Sequence, residues 1–283
     1  MYRITKTLNH NAILVADMEN QQEYMFLGKG IGFGRKVAER IELPEGAEIY
    51  SLKNITERGT AKELVRETTV ECFEIANQIL MKAEAEFGKV DRDILFPMAN
   101  HIDYAVKRIR AGEQISNPLN SDIRILFYKE YKVAEIAREL LREMLHIEIM
   151  DDEIGYIALH VHSSIESEKV STSMQMAMVV RECVTLIEEQ IDRKIDILSL
   201  DYNRLMNHIK FMFARAEQGE SLKLNMNAYI KQNYPDAYRI AETICEHMRQ
   251  ALHKEIEELE IGYLAMHVQR ALMKEPEDIK GES

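Results

Sequence analysis

Two histidine pairs, His101 with His160 and His208 with His267, are the side chains in this sequence best suited to chemistry, and each pair is separated by 59 residues. A neutral imidazole held at one nitrogen by a carboxylate keeps the lone pair of the other, which can attack phosphorus or bind a metal. Metal is the weaker choice. No HxxxH pair or cysteine cluster accompanies the histidines, and Glu153 and Glu260 are the extra ligands at hand. Neither a metal site nor a cofactor is expected. The rival reading of any single histidine is a boundary residue satisfied by local hydrogen bonds; the duplication of the pairs argues for function. At helical spacing, Ile154, Ile157, Ala158, Val161 and Ile165 share one face, and His160 falls off it beside Glu153 and Ser164. His267 stands in the same relation to Ile261, Leu264, Ala265, Val268 and Leu272, and His101 lies at the border of its own apolar face. His146 and His253 fall at helix ends, where they suit the C-terminal dipole. His162 has Gln269 as its counterpart and reads as structural.

A second constellation lies near the N-terminus. Gly28, Gly30, Gly32 and Gly34 alternate with Lys29, Ile31, Phe33 and Arg35, followed by Lys36. In a strand this spacing leaves one face bare, so that another backbone or a ligand approaches closely. The GxGxxG-like spacing is not followed by a helix and a βαβ unit, and no Walker lysine-serine pair occurs, so a nucleotide site is a poor reading. Bare backbone, one aromatic ring and three cations suit RNA instead. The glycines Gly28 and Gly30 admit the sugar-phosphate chain, Phe33 stacks on a base, and Lys29, Arg35 and Lys36 meet phosphates. Asn9 and Asn11 offer hydrogen bonds to base edges or 2′-hydroxyls. A tight hairpin of a small barrel is the purely structural alternative.

The elements that must carry these residues differ along the chain. Tyr2–Leu8, Ala12–Ala16, Glu23–Leu27 and Glu48–Leu52 alternate or are β-branched, with Asn9-His10-Asn11 as a turn, so an antiparallel β head is expected. So small a head buries little core and needs a partner copy. From Lys62 the pattern is helical. Pro97 opens or kinks a helix, and further helices are predicted over Tyr131–Leu145, Asp152–Ile165, Ser173–Ile191, Leu198–Ala216, Tyr238–Leu252 and Ile256–Leu272. Ser163–Ser173 is the best linker. An offset of 107 residues carries Asn100-His101-Ile102 onto Asn207-His208-Ile209 and Glu153–Val161 onto Glu260–Val268 without a gap. Two homologous modules are therefore present. The predicted architecture is multidomain: a small antiparallel β domain over 1–58, then two all-α helical bundles over 59–168 and 169–283.

Composition narrows the class. The net charge is −12, which disfavours broad non-specific nucleic-acid binding. Yet Arg3, Lys6, Lys29, Arg35 and Lys36 face only Asp17, Glu19 and Glu23 in the first 36 residues, which allows a local anion-binding surface. Cys72, Cys183 and Cys245 are widely spaced and read as buried small residues. The first residues lack the apolar core of a signal peptide, and no long uncharged apolar run occurs. A cytoplasmic regulator, not an enzyme, is the expectation.

On these residues the sequence resembles the BglG/SacY family of bacterial transcriptional antiterminators. Lys6, the Asn9-His10-Asn11 block and Gly28-Lys29-Gly30-Ile31-Gly32-Phe33 resemble the motifs of that family's co-antiterminator RNA-binding domain, with Asn9, Asn11, Arg35 and Lys36 completing the RNA surface. The two helical modules resemble phosphotransferase-system regulation domains, with His101, His160, His208 and His267 at the phosphorylation positions. The glycine run looks closest to glucose- and β-glucoside-type members. Departures are His10 in the middle of a usual run of three asparagines, and Asn100 where many members carry an acid. The resemblance implies a homodimer whose head binds an antiterminator hairpin in the leader mRNA of a sugar-utilisation operon. It further implies phosphorylation by the phosphocarrier HPr and by a sugar-specific permease, enzyme II, with no insertion into the membrane. In many members the permease acts on the first module and inhibits, while HPr acts on the second and activates. A sugar-responsive regulator whose head reads DNA is the alternative, disfavoured because residues 1–55 read as strands.

Overall fold

The computed structural model describes residues 1–166, 169–196 and 199–273, the side chain of Glu217 apart. It forms two compact units, Met1–Ser173 and a second that begins at Met174.

The first unit opens with β1 (Tyr2–Thr7), β2 (Ala12–Asp17), β3 (Glu23–Leu27), β4 (Arg40–Ile41) and β5 (Glu48–Ser51). All pairs are antiparallel and the sheet order is β4-β1-β2-β3-β5. Alternation decides which side chains go where. Ile4, Ile13, Val15 and Phe26 form one core with Ile31 and Ile41. Met25 and Tyr50, cross-strand partners on the opposite face, are equally buried. That second face is covered by the helices that follow: the Tyr50 ring meets Phe96 edge-on, and its hydroxyl donates to Asn77 Oδ1 at 2.6 Å. A two-stranded hairpin, β6 (Ile55–Thr56) and β7 (Gly59–Thr60), leads out of the sheet.

Thr60 then starts α1 (Ala61–Glu67) through a capping box with Glu63, in which each side chain takes a backbone N–H of the other. There follow α2 (Val70–Phe87), a short 3-10 turn at Arg92–Ile94, α3 (Leu95–Arg110), α4 (Asn120–Leu126), α5 (Tyr128–Ala134), α6 (Ala137–Leu145) and α7 (Asp151–Glu166). Pro97 sits in the first turn of α3, where its missing N–H costs nothing. The second unit contains most of α8 (Val170–Ile191), then α9 (Leu200–Gln218), α10 (Asn227–Asn233), α11 (Pro235–Leu252) and α12 (Leu259–Leu272). The 107-residue offset carries α4 onto α10 and the first residues of α5 and the last of α6 onto the ends of α11.

Three expectations change. The glycine stretch is not a strand but a succession of turns, because Gly30 and Gly34 take left-handed φ of 72° and 70°. Tyr131–Leu145 is not one helix: three-residue hydrogen bonds at Ile136 and Arg138 tighten the chain between α5 and α6, whereas α11 runs unbroken over the same ground. Ser163–Ser173 is not an open linker where it is described, since Ser163 and Ser164 are buried in α7 and Ser163 Oγ lies 3.2 Å from Ser173 Oγ. The three cysteines are buried and unpaired, as expected.

Candidate functional site

In the first module, α3 supplies His101 and α7 supplies Glu153, Tyr156 and His160, one helical turn apart along a single face. The rings of His101 and His160 lie 5.6 Å apart, and Tyr156 is 5.6 Å from His101. Glu153 Oε2 approaches His101 Nε2 to 3.1 Å, without the alignment of a hydrogen bond, while its other oxygen accepts from Arg108 Nη2 at 2.6 Å. Arg58, on the β6–β7 hairpin, reaches Asn100 Oδ1 at 3.4 Å beside them.

The second module repeats this arrangement. The rings of His208 on α9 and His267 on α12 stack at 4.6 Å, with Tyr263 6.4 Å from His208. Arg215 grips Glu260 with two nitrogens at 2.5 and 2.8 Å, and Glu260 lies 3.8 Å from His208. In both modules the same two nitrogens are buried without a hydrogen-bond partner: Nε2 of the first histidine and Nδ1 of the second.

Burial governs the charge of these rings. It pushes His101 and His160 below the usual imidazole range, with the positive charge of Arg58 acting in the same sense on both. His208 is brought down to about 3 by burial and by its proximity to His267 and Arg215, and His267 is lowered mainly by burial. Glu153 is pushed up by desolvation, but His101 and Arg108 outweigh that and hold it below the usual carboxylate range. The result in each module is two neutral imidazoles beside a carboxylate that is paired with an arginine. Such rings have lone pairs to offer an electrophile.

The rival reading of these as boundary histidines does not hold for the first pair: His101 is 6% exposed and His160 only 2%. The helical wheel marks an apolar stripe on α7, but α2, α3, α4 and α5 all pack against this helix, so its polar face is covered too. His162, read as structural, is buried with Nδ1 3.0 Å from Glu130 Oε1. His146 and His253 end α6 and α11 in left-handed conformations, φ 55° and 51°. Arg108 and Arg215 escaped the sequence reading, although the offset that aligns the histidines aligns them as well.

The head presents the other candidate surface. The β1–β2 turn and the glycine turns are zipped together: Gly28 and Gly32 N–H donate to the carbonyls of Asn11 and His10, both at 2.9 Å. A Cβ on Gly32 would collide with the Asn9 carbonyl oxygen, so glycine is required there by close approach. Asn9 Oδ1 accepts from Asn11 N–H at 2.8 Å, and Asn11 Oδ1 from Gly30 N–H at 2.9 Å. Phe33 is 72% exposed, its ring edge-on to His10 at 5.4 Å. Lys29 and Lys36 are exposed nearby, and Arg35 pairs with Glu39. Lys6 is placed differently. It lines a groove with Leu14, Glu23, Lys62 and Arg66, to which no residue of the glycine turns contributes. The two asparagine amides meet a residue that nothing in the sequence singled out: Nδ2 of Asn9 and of Asn11 donate to the two oxygens of Glu74 on α2, at 2.6 and 3.0 Å.

Comparison with known proteins gives two matching domain families. Residues 2–58 match the CAT RNA binding domain, and residues 73–164 and 177–271 each match the PRD domain. The GlcA/glcB genes antiterminator of Staphylococcus carnosus is 32% identical over 279 residues, covering 94% of both chains. Protein GlcT of Staphylococcus saprophyticus is 32% identical over 274 residues, covering 94% of this chain and 96% of its own. Among solved structures, a crystal structure of GlcT CAT-PRDI is 27% identical, with a TM-score of 0.49, over 58% of this chain and 98% of that one.

Proposed function

The chain belongs to the BglG/SacY family of transcriptional antiterminators, and we propose that it is the phosphorylation-controlled regulator of a sugar-utilisation operon. Its head, residues 1–58, binds a hairpin in the leader mRNA and prevents a terminator from forming. Lys6, Asn9, Asn11, Gly28, Lys29, Gly30, Phe33, Arg35 and Lys36 are the RNA-binding residues. The first module, 59–168, is phosphorylated on His101 and His160, and the second, 169–283, on His208 and His267. The donors are HPr and a sugar-specific enzyme II. The protein acts in the cytoplasm as a homodimer and carries out no catalysis of its own. Among the described residues no helix is long and apolar enough to cross a membrane.

The observation that carries this reading is the duplicated pair of neutral, facing imidazoles, each beside an arginine-held carboxylate. In the transfer, a lone pair on an acceptor imidazole nitrogen attacks phosphorus. The bond from phosphorus to the donor's own phosphoryl-carrying side chain breaks, and the donor atom keeps that electron pair. The new group brings up to about two negative charges at neutral pH, by analogy with other phosphorylated side chains. Set against Glu153 or Glu260 that charge repels; set against Arg108 or Arg215 it attracts, so either module can be driven between two packings. A full swing from 1:99 to 99:1 takes about 5.5 kcal/mol.

Incubating the full chain with phosphoenolpyruvate, the general phosphotransferase enzyme and HPr, with and without the permease, tests the assignment. Acid-labile phosphate is expected on these four histidines. Label confined to other residues, or no label even with the permease present, overturns it.

A further inference from the structure

Asn9 and Asn11 are oriented by the backbone, and the orientation leaves a definite pair of donors facing outward. Each carbonyl oxygen of these side chains is already taken, by Asn11 N–H and by Gly30 N–H. The amide NH2 groups are therefore the ends presented to a ligand, and both converge on a single carboxylate, that of Glu74. Two donors meeting the two oxygens of one anion is also how a phosphodiester is held, since its two non-bridging oxygens share a charge.

We propose that Glu74 is an intramolecular competitor of RNA, its carboxylate standing where the head would otherwise hold a backbone phosphate. This rests on the reading that the head binds RNA through Asn9 and Asn11. Glu74 lies on α2, which packs against α3, the helix that carries His101. One turn further along, Asn77 of α2 accepts from the Tyr50 hydroxyl and so registers the helix against the sheet. Access of RNA to the two asparagines then depends on where the first module sits on the head. That gives a change at the histidines a route to the RNA surface without contact between them.

The test uses the full-length chain and its Glu74→Ala and Glu74→Gln variants, with a hairpin RNA enriched from a randomised pool on either the wild-type or the Glu74→Ala protein. Glu74→Ala is expected to bind that RNA at least about tenfold more tightly than wild type. Glu74→Gln, which keeps one acceptor and loses the charge, falls between them. Adding Asn9→Ala to Glu74→Ala should remove most of the gain, because one of the two donors freed for the RNA phosphate is then missing. Equal or weaker binding by both variants, in chains that melt like wild type, overturns the competitor role and leaves the RNA-binding reading intact. If no hairpin is enriched on either protein, the RNA-binding reading itself fails, and this inference with it.

Discussion

Burial takes the His208 imidazole from its ordinary pKa of 6.5 to about 3, so the ring is neutral throughout the physiological range. The unfolded chain takes up a proton here as the pH falls below 6.5, and the folded chain does not do so until about 3. The stability tied to this residue is therefore present above 6.5 and lost as the pH falls through that window. His101, His160 and His267, lowered chiefly by burial, act with the same sign. Between pH 7 and pH 5 the wild-type chain should lose about 2 kcal/mol of unfolding free energy that a His208→Gln chain retains. Urea titrations of both proteins at the two pH values measure it, and identical losses would refute it. The same neutrality that makes the fold acid-sensitive keeps the lone pair available for the phosphorylation proposed above.

α12, packed by its apolar face against α9 and α11, is also tied to α10 by a contact that involves no apolar side chain. Asn227, at the start of α10, accepts from Gly262 N–H at 2.9 Å and donates to the Glu258 carbonyl at 2.8 Å. The amide thereby bridges the N–H and the carbonyl, four residues apart, that form the first hydrogen-bonded turn of α12. A Cβ on Gly262 would come within 2.5 Å of Asn227 Oδ1, so Gly262→Ala must push α10 and α12 apart. The expected cost is about 1–3 kcal/mol. Because Glu260 and His267 ride on α12, slower phosphorylation by HPr should accompany it. Chemical denaturation together with a phosphorylation time course decides this; a stability change below about 0.5 kcal/mol would mean that the helices part freely. In the first module Asn120 Oδ1 also lies too close to Gly155 to admit a Cβ, but it makes no hydrogen bond there, so the repeat shares the close approach and not the clamp.

For the whole molecule, the head's sheet has a small core of its own on one face, and the helices that follow cover the other. Ile49 on β5 and Val37 in the loop before β4 remain exposed, at 40% and 64%. Two-fold dimers are the commonest oligomers of soluble proteins, and a head with so small a core gains from a second copy. Sedimentation equilibrium of the full chain should show mass rising with concentration towards two chains, shifted by phosphorylation. A strict monomer at every concentration and phosphorylation state would exclude the dimer. The structure also sets a condition on any study of the head alone, because the covered face holds Tyr50, whose hydroxyl burial pushes up to about 12.

The division of labour between sequence and tertiary structure follows from range. Strand alternation, helical spacing and the 107-residue offset are local or self-similar patterns, so the β head, the two modules and the paired histidines were legible before any coordinates. So was the Asn9-His10-Asn11 turn, because an asparagine oxygen that reaches the N–H two residues on is a local contact. Burial of His160 was not legible, since a wheel gives one helix's own stripe and not how many neighbours surround it. The turns at Gly30 and Gly34 were missed because alternating glycines fit an extended strand and left-handed turns equally, and the hydrogen bonds from Gly28 and Gly32 to a distant loop decide between them. Glu74 carried no sign at all. It sits 63 residues from Asn11 on an ordinary helix, and only the packing of α2 against the sheet brings its carboxylate to the amides that the sequence had assigned to RNA.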